Sequence, residues 1–269
     1  MSTYLLDADM GGVDSVQDLI DAGTVKHIPV PSFPEYEAAV ASLLPQVGPN
    51  DLVILDTISQ LANSVRGDLK LGTDTNATLW DKRNVYFGDK NYLTVFEAAS
   101  QLIMRRLKNL RARGARIITV CHEDDQRDDI SMTKKRAPAL NTAFYKALMA
   151  SSSDVFPLSV QLEDKMNEAG DITIPRGTRI LNLRMSEDYV TKHHTPMAVS
   201  LKMPVGIKDP TLPKLYAVLG KKPSWLVLYG PPGAGKTTLA CSDTTPQAAV
   251  ADLNDAKPKT TATPKTKAS

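Results

Sequence analysis

Cysteine is scarce in this sequence: only Cys121 and Cys241 occur among 269 residues. The two match no paired spacing for a disulfide framework or a thiolate metal site, and they suggest a reducing compartment. Long hydrophobic runs are also missing. The apolar stretches span about six residues, far below the ~20 needed to cross a bilayer, so no membrane partner is expected. An excess of charge of one sign is absent too: 32 Lys and Arg against 30 Asp and Glu leave a net charge of +2. Bulk basicity therefore does not dictate a nucleic-acid partner, and any such contact must come from local patches. The opening "MSTYLLDADMGG" lacks a basic flank, and acids interrupt its apolar run, which excludes a signal-peptide pattern. No repeat of solenoid length is visible. What remains is an ordinary globular composition, 42% hydrophobic and 23% charged, expected in the cytoplasm.

Short β-rich runs alternate with helical patterns, which predicts an α/β fold with a mostly parallel sheet flanked by helices. "YLLDAD" (Tyr4 to Asp9), "DLVILD" (Asp51 to Asp56) and "RIITVCHE" (Arg116 to Glu123) are apolar runs that end in polar residues. Such runs suit strands buried on both faces. Between the last two, Phe96, Ala99, Ile103, Leu107 and Leu110 recur at helical spacing, and Gly114 is placed to end that helix. Strands are also expected at Asp154 to Leu162, Thr178 to Met185 and Met197 to Met203. Residues 204–223 hold several prolines and read as a connector with one short helix. The segment 244–269 drifts into Thr, Ala, Pro and Lys and reads as a disordered basic tail. Within it, residues 247–255 faintly repeat the form of the first strand.

The most informative stretch is "LVLYGPPGAGKTTLA", Leu226 to Ala240. It contains a complete phosphate-binding loop: Gly230, Pro231, Pro232, Gly233, Ala234, Gly235, Lys236 and Thr237, followed by Thr238. The glycines let backbone N–H groups wrap a phosphate chain, and the helix that follows aims its positive end at the same anion. Lys236 can reach the β- and γ-phosphates of ATP, and the Thr237 hydroxyl can ligate Mg²⁺. Such a loop needs an acid on a neighbouring strand to hold the metal through water, and Asp56 is placed for that. Hydrolysis further needs a group to position the attacking water; Asp7 and Asp9 are the candidates, with Asp9 at the mouth of its strand.

Together, "LLDADMGG", "VILDTIS", "IITVCHE" and "GPPGAGKTT" resemble the RecA-like P-loop ATPases, most of all the short phage-encoded recombinase and single-strand-annealing ATPases. The resemblance covers residues 4–203 and 224–243. It implies a Mg²⁺-dependent ATPase that acts on single-stranded DNA, with ATP held between subunits of a ring or filament. A single-strand-binding protein is an implied partner, and the host cytoplasm the implied site of action. By resemblance, Asp9 takes the place of the water-activating glutamate, one methylene shorter. His122 takes that of the polar sensor of the γ-phosphate. Lys192 matches a basic finger that enters the neighbouring subunit's ATP site, with His194 at a second basic position. In that family the phosphate-loop strand comes first; here it comes last. The resemblance therefore implies a circularly permuted core, formed by 1–203 and 224–243 and joined through 204–223. A connector of about 20 residues spans up to ~60–70 Å, enough to join opposite faces. This order places "WLVLYG" inside the sheet, between the 117–121 and 154–162 strands. DNA contacts are expected from the loop that carries Lys134, Lys135 and Arg136, and secondarily from residues 63–91, where Trp80 and Tyr86 lie among bases. Two other roles fit the same residues: a motor or loader acting on a protein such as a replicative helicase, and a non-catalytic ATP-dependent assembly switch.

Overall fold

The structure is a computed structural model that describes residues 2–71, 92–127, 134–161 and 177–244. In chain order the elements are β1 (Thr3–Asp7), α1 (Gln17–Asp21), β2 (Val25–Pro29), α2 (Phe33–Leu43), β3 (Leu52–Asp56), α3 (Ile58–Leu71), α4 (Tyr92–Ala112), β4 (Arg116–Arg127), β5 (Lys134–Pro138), α5 (Thr142–Ser151), β6 (Asp154–Gln161), β7 (Thr178–Asn182), α6 (Met197–Ser200), β8 (Gly206–Lys208), α7 (Leu212–Leu219), β9 (Trp225–Gly230) and α8 (Lys236–Cys241).

The strands form one sheet in the order β2-β1-β3-β4-β9-β6-β7-β8, and β5 pairs with the outer half of β4. From β2 through β6 all neighbours are parallel, while β7 and β8 are antiparallel to their neighbours. The architecture is therefore α/β, a mostly parallel mixed sheet flanked by helices. β9 lies in the interior, paired on one side with β4 and on the other with β6, parallel to both.

Strand alternation explains the two cores. Side chains at successive strand positions face opposite sides. Tyr4, Leu6, Val53, Leu55, Ile117 and Val227 join one cluster with residues of α2, α3, α4 and α5. Leu5, Leu52, Ile54, Ile118, Phe156 and Leu226 join the other, covered by α7 and α8. Both faces of the central strands are thus apolar, as the continuous hydrophobic runs require.

Local signals fix the helix ends. Ser32 accepts from Glu35 N (3.4 Å) and donates its hydroxyl to Glu35 Oε2 (2.7 Å), an N-cap that starts α2. Asn141 caps α5 through Phe144 N at 2.7 Å. After α4, Gly114 turns at φ 93° as its sequence position suggested.

Several expectations need correction. Met197–Ser200 is one turn of helix rather than a strand, and Leu201 beyond it is 70% exposed. The alternation of Met197, Val199, Leu201 and Met203 imitates a half-buried strand, but Ser200 N bonds Pro196 O instead. The 204–223 segment holds the one short helix expected of it and adds a strand that was not. Its Gly206–Lys208 strand extends the sheet, and Thr211 caps a helix whose Leu212, Leu215 and Leu219 are buried. Residues 63–71 are helical, within α3. Trp80, Tyr86 and the rest of 72–91 lie outside the described residues, as does the tail from 245 onward.

Candidate functional site

Parallel pairing brings the carboxyl ends of four strands to one edge. Asp7 stands opposite Asp56, Asp56 opposite Val120, and His122 opposite Gly230. A crevice outside such strand ends is the usual ligand site of an open α/β sheet. Here it is a cleft of about 340 Å³, lined among others by Asp9, Gly12, Asp56, His122, Gly235, Lys236 and Thr237.

The loop from Gly230 to Thr237 is shaped by close approach and unusual dihedrals. A Cβ at Gly230 would lie 2.1 Å from Leu158 O, so only glycine lets β9 pass β6 there. Gly233 and Gly235 sit at φ 75° and 81°, in the left-handed region. Their turn wraps the Lys236 side chain, whose Nζ donates to Gly230 O (3.0 Å) and Pro231 O (2.8 Å). Lys236 is only 6% exposed. Burial lowers its pKa, against the opposing pull of Asp56, Cys121, Glu123 and Asp9. Pro231, Pro232, Ala234 and Thr238 complete the loop and the first turn of α8.

Thr237 donates its hydroxyl to Asp56 Oδ2, joining residues 181 apart in sequence. Asp56 is buried, and desolvation pushes its pKa up to about 6; the Thr237 hydrogen bond and Lys236 oppose that rise, while Asp7 and Asp9 add to it. Two hard oxygen donors, one a buried carboxylate whose charge lacks water, suit Mg²⁺. That ion keeps several waters and needs few protein ligands. Among the described residues no group of three or more His, Cys, Asp and Glu forms a metal cluster.

Asp7 and Asp9 separate cleanly. Asp7 is buried; its Oδ1 accepts from Asp9 N (3.1 Å) and Met10 N (2.9 Å), and its Oδ2 meets His27 Nε2 at 3.1 Å. It holds the turn after β1. Asp9 is carried past that turn into the cleft, with its carboxylate 3.7 Å from His122 Nε2. His122 is fixed from α3, because its backbone N donates to Ser59 Oγ at 3.1 Å. Burial, and then the Lys236 charge, lower the His122 pKa, against the pull of Asp9. It also lines a second cavity of about 300 Å³ with Ser59, Asn63 and Asp124.

Other residues singled out by sequence lie elsewhere. Lys192 bridges Val155, level with Val227 in β9 and three residues short of Gly230. Its Nζ donates to Met149 O and, at 2.7 Å, to Ser152 O, so it caps the C-terminal carbonyls of α5 within this chain. His194 bonds Ser153 O at 2.8 Å. Lys134, Lys135 and Arg136 form β5, one strand of an antiparallel arm with 123–127 rather than an open loop. Arg136 is tied down: its Nη1 lies 3.5 Å from Glu123 Oε1 and 3.3 Å from the Tyr189 hydroxyl. The Lys134 side chain lies outside the described residues.

Sequence reasoning missed β2, α2 and three contributors to the cleft: Gly12, Ser15 and Thr57. Only the "MGG" turn hinted at the first. Comparison with protein-family models and with curated protein sequences finds no match.

Proposed function

We propose that this chain binds ATP with Mg²⁺ and hydrolyses it as a RecA-like P-loop ATPase in circularly permuted order, acting on single-stranded DNA in recombination or strand annealing. One observation carries the proposal: the Lys236–Thr237 loop meets Asp56, Asp9 and His122 in one cleft, although Thr237 and Asp56 are 181 residues apart. The interior position of β9 supports the permuted order, since a phosphate-loop strand flanked by the sensor strand and a later strand is what the resemblance implies.

In this reading the loop amides and Lys236 hold the β- and γ-phosphates, exchanging the Gly230 and Pro231 carbonyls for phosphate oxygens. Thr237 and Asp56 hold Mg²⁺, which neutralises phosphate charge. Asp9 orients the attacking water, and His122 hydrogen-bonds near the γ-phosphate. The arm of β4 and β5 contributes Lys134 and Lys135 to DNA. The oligomer, a ring or filament, places ATP between subunits.

The deciding experiment measures binding of a fluorescent ATP analogue with Mg²⁺, then ATP turnover with and without single-stranded DNA, beside electron microscopy of assembly. Expected are Mg²⁺-dependent binding and DNA-stimulated turnover. Turnover that ignores DNA but responds to a protein partner would establish the loader instead. Binding and assembly without turnover would establish the switch, which the short reach of Asp9 favours. No nucleotide binding at all would overturn the proposal.

A further inference from the structure

Arg179 lies against the phosphate loop without a partner of its own. It stands on β7, opposite Val160 of β6. In the neighbouring pair, Pro157 of β6 is level with Tyr229 of β9, so Val160 and Arg179 stand just past Gly230 at the carboxyl edge. The backbone there is fixed from the other side as well, since Arg179 O accepts from Asp209 N at 2.8 Å. From this position the side chain reaches Gly235, a residue that lines the cleft. A Cβ on that glycine would meet Arg179 Nη1 at 2.8 Å and Cδ at 3.2 Å, which locates the guanidinium against the residue before Lys236.

Other arginines are matched within the chain. Arg106, Arg116 and Arg136 each face a carboxylate, and Arg184 donates to the Met203 carbonyl. Arg179 is partly buried, yet among the described residues it has neither an ion pair nor a side-chain hydrogen bond. A guanidinium keeps its charge and presents a rigid fork of N–H donors that matches phosphate oxygens. Beside a loop shaped for a phosphate chain, such a fork adds charged hydrogen bonds to the same ligand.

Its flank indicates which phosphate. The order β3-β4-β9-β6-β7 sets Asp56 two strands to one side of the loop strand and Arg179 two strands to the other. In the proposed site, Thr237 and Asp56 hold the metal, and with it the β- and γ-phosphates. The flank of Arg179 is left for the α-phosphate.

We propose that Arg179 is a nucleotide-binding residue that contacts the α-phosphate from the β7 side of the loop. This rests on the nucleotide reading above. An α-phosphate is common to ATP and ADP, so the contact grips substrate and product alike and does not discriminate between them.

The test separates phosphate from nucleoside and charge from packing. Arg179→Met keeps an unbranched apolar stem against Gly235 and removes the charge. Affinities of parent and variant for ATP, ADP and inorganic tripolyphosphate, all with Mg²⁺, are read by displacement of a fluorescent ATP analogue, beside thermal melts. The variant should bind all three ligands roughly 10- to 100-fold more weakly, the loss of one charged hydrogen-bond partner. The losses for ATP and ADP should agree within about two-fold, and the thermal midpoint should stay near that of the parent. Unchanged tripolyphosphate binding would assign Arg179 to the nucleoside and overturn the proposal. A loss for ATP without one for ADP would assign it to the γ-phosphate and overturn it too. Unchanged affinities with a lower midpoint would make it a packing residue of the loop. A parent that binds no nucleotide would instead refute the site reading. If Arg179→Met does not fold, Arg179→Lys keeps the charge without the fork; it should lose part of the affinity for all three ligands, and an unchanged affinity would count against the proposal.

Discussion

The two edges of the parallel sheet carry similar residues and treat them differently. At the amino edge two cations are matched within the chain. Arg116 meets Asp243 at 2.7 Å and the Tyr216 hydroxyl at 3.0 Å, and Lys221 meets buried Asp154 at 3.2 Å and His194 O at 2.8 Å. At the carboxyl edge the matches are provisional. Among the described residues Lys236 holds carbonyls of its own loop, Asp56 the Thr237 hydroxyl, and buried His122 Nδ1 no hydrogen-bond partner. Buried polar groups normally find full partners. Beside Asp154 the buried His193 Nδ1 and Thr195 Oγ1 also lack a partner among the described residues. What sets the carboxyl edge apart is that Lys236, Asp56 and His122 face one cleft, where the proposed function places a phosphate chain with a cation.

The sharpest way to break this contrast is to delete one charge from each edge. Lys236→Ala should weaken ATP binding by roughly 100-fold or more, the equivalent of losing one or two hydrogen bonds to a charged group, with the thermal midpoint little changed. Asp154→Ala should show the opposite signature. It leaves the His194 amide without its acceptor and Lys221 with His194 O alone, and should cost about 1–2 kcal/mol, held to the low side because Lys221 is part-exposed. Nucleotide affinity of the folded molecules should not move. Calorimetric melts and a binding titration on both variants decide it; a stability loss in Lys236→Ala equal to that of Asp154→Ala would erase the distinction.

A smaller effect concerns Asp56 without divalent cations. Its folded pKa is raised from 3.8 to about 6 by burial. A raised carboxyl pKa means that the folded state holds the proton more tightly. Its stabilising contribution is complete below pH 4 and is lost as pH rises through about 6. Asp56→Asn keeps an acceptor for Thr237 and removes the buried charge. The variant should therefore gain on the parent between pH 4 and pH 7, by on the order of 1–3 kcal/mol. Urea melts across that range should show the gap opening with pH, and Mg²⁺-nucleotide should close it by stabilising the parent alone. A gap that stays flat from pH 4 to pH 8 would show that Asp56 is not strained by its burial.

How much of this was legible in the sequence follows from how local each signal is. Strands β1, β3, β4 and β9 announce themselves because each is a continuous apolar run, and burial on both faces demands that pattern. β2, "VKHIP", is an edge strand with one buried residue in five, so lysine, histidine and proline mask it. The loop glycines, Lys236 and Thr237 were readable because one contiguous stretch makes the cradle. Asp9 and Asp56 were readable as strand ends. Gly12 was not, since its reason is that a side chain there would clash with Thr237, 225 positions later in the chain. Lys192 looked like a free cation because sequence shows charge but not that the end of α5 would claim it. The same limit applies to Arg136, whose partners Glu123 and Tyr189 arrive from other elements.

That last difference yields the smallest effect. The 134–136 cluster reads as three equivalent cations, but the arm makes them unequal. Arg136 is held between Glu123 and the Tyr189 ring, 5.7 Å from the ring centroid, and its backbone bonds Asp188 and Val190. A cation already neutralised by a carboxylate releases few counterions on meeting a phosphate. The slope of log affinity against log salt should fall by about 0.7 for each phosphate-contacting cation removed from a single-strand site. Lys134→Ala with Lys135→Ala should lower the slope by about 1.4 on this count. Arg136→Ala should lower it by clearly less than half that and should instead loosen the arm, read as faster amide exchange in 134–138. Equal slopes per residue would mean that Arg136 leaves Glu123 for DNA, making the ion pair a latch rather than a brace. An unchanged slope in the double lysine variant would move the DNA contact to residues 63–91.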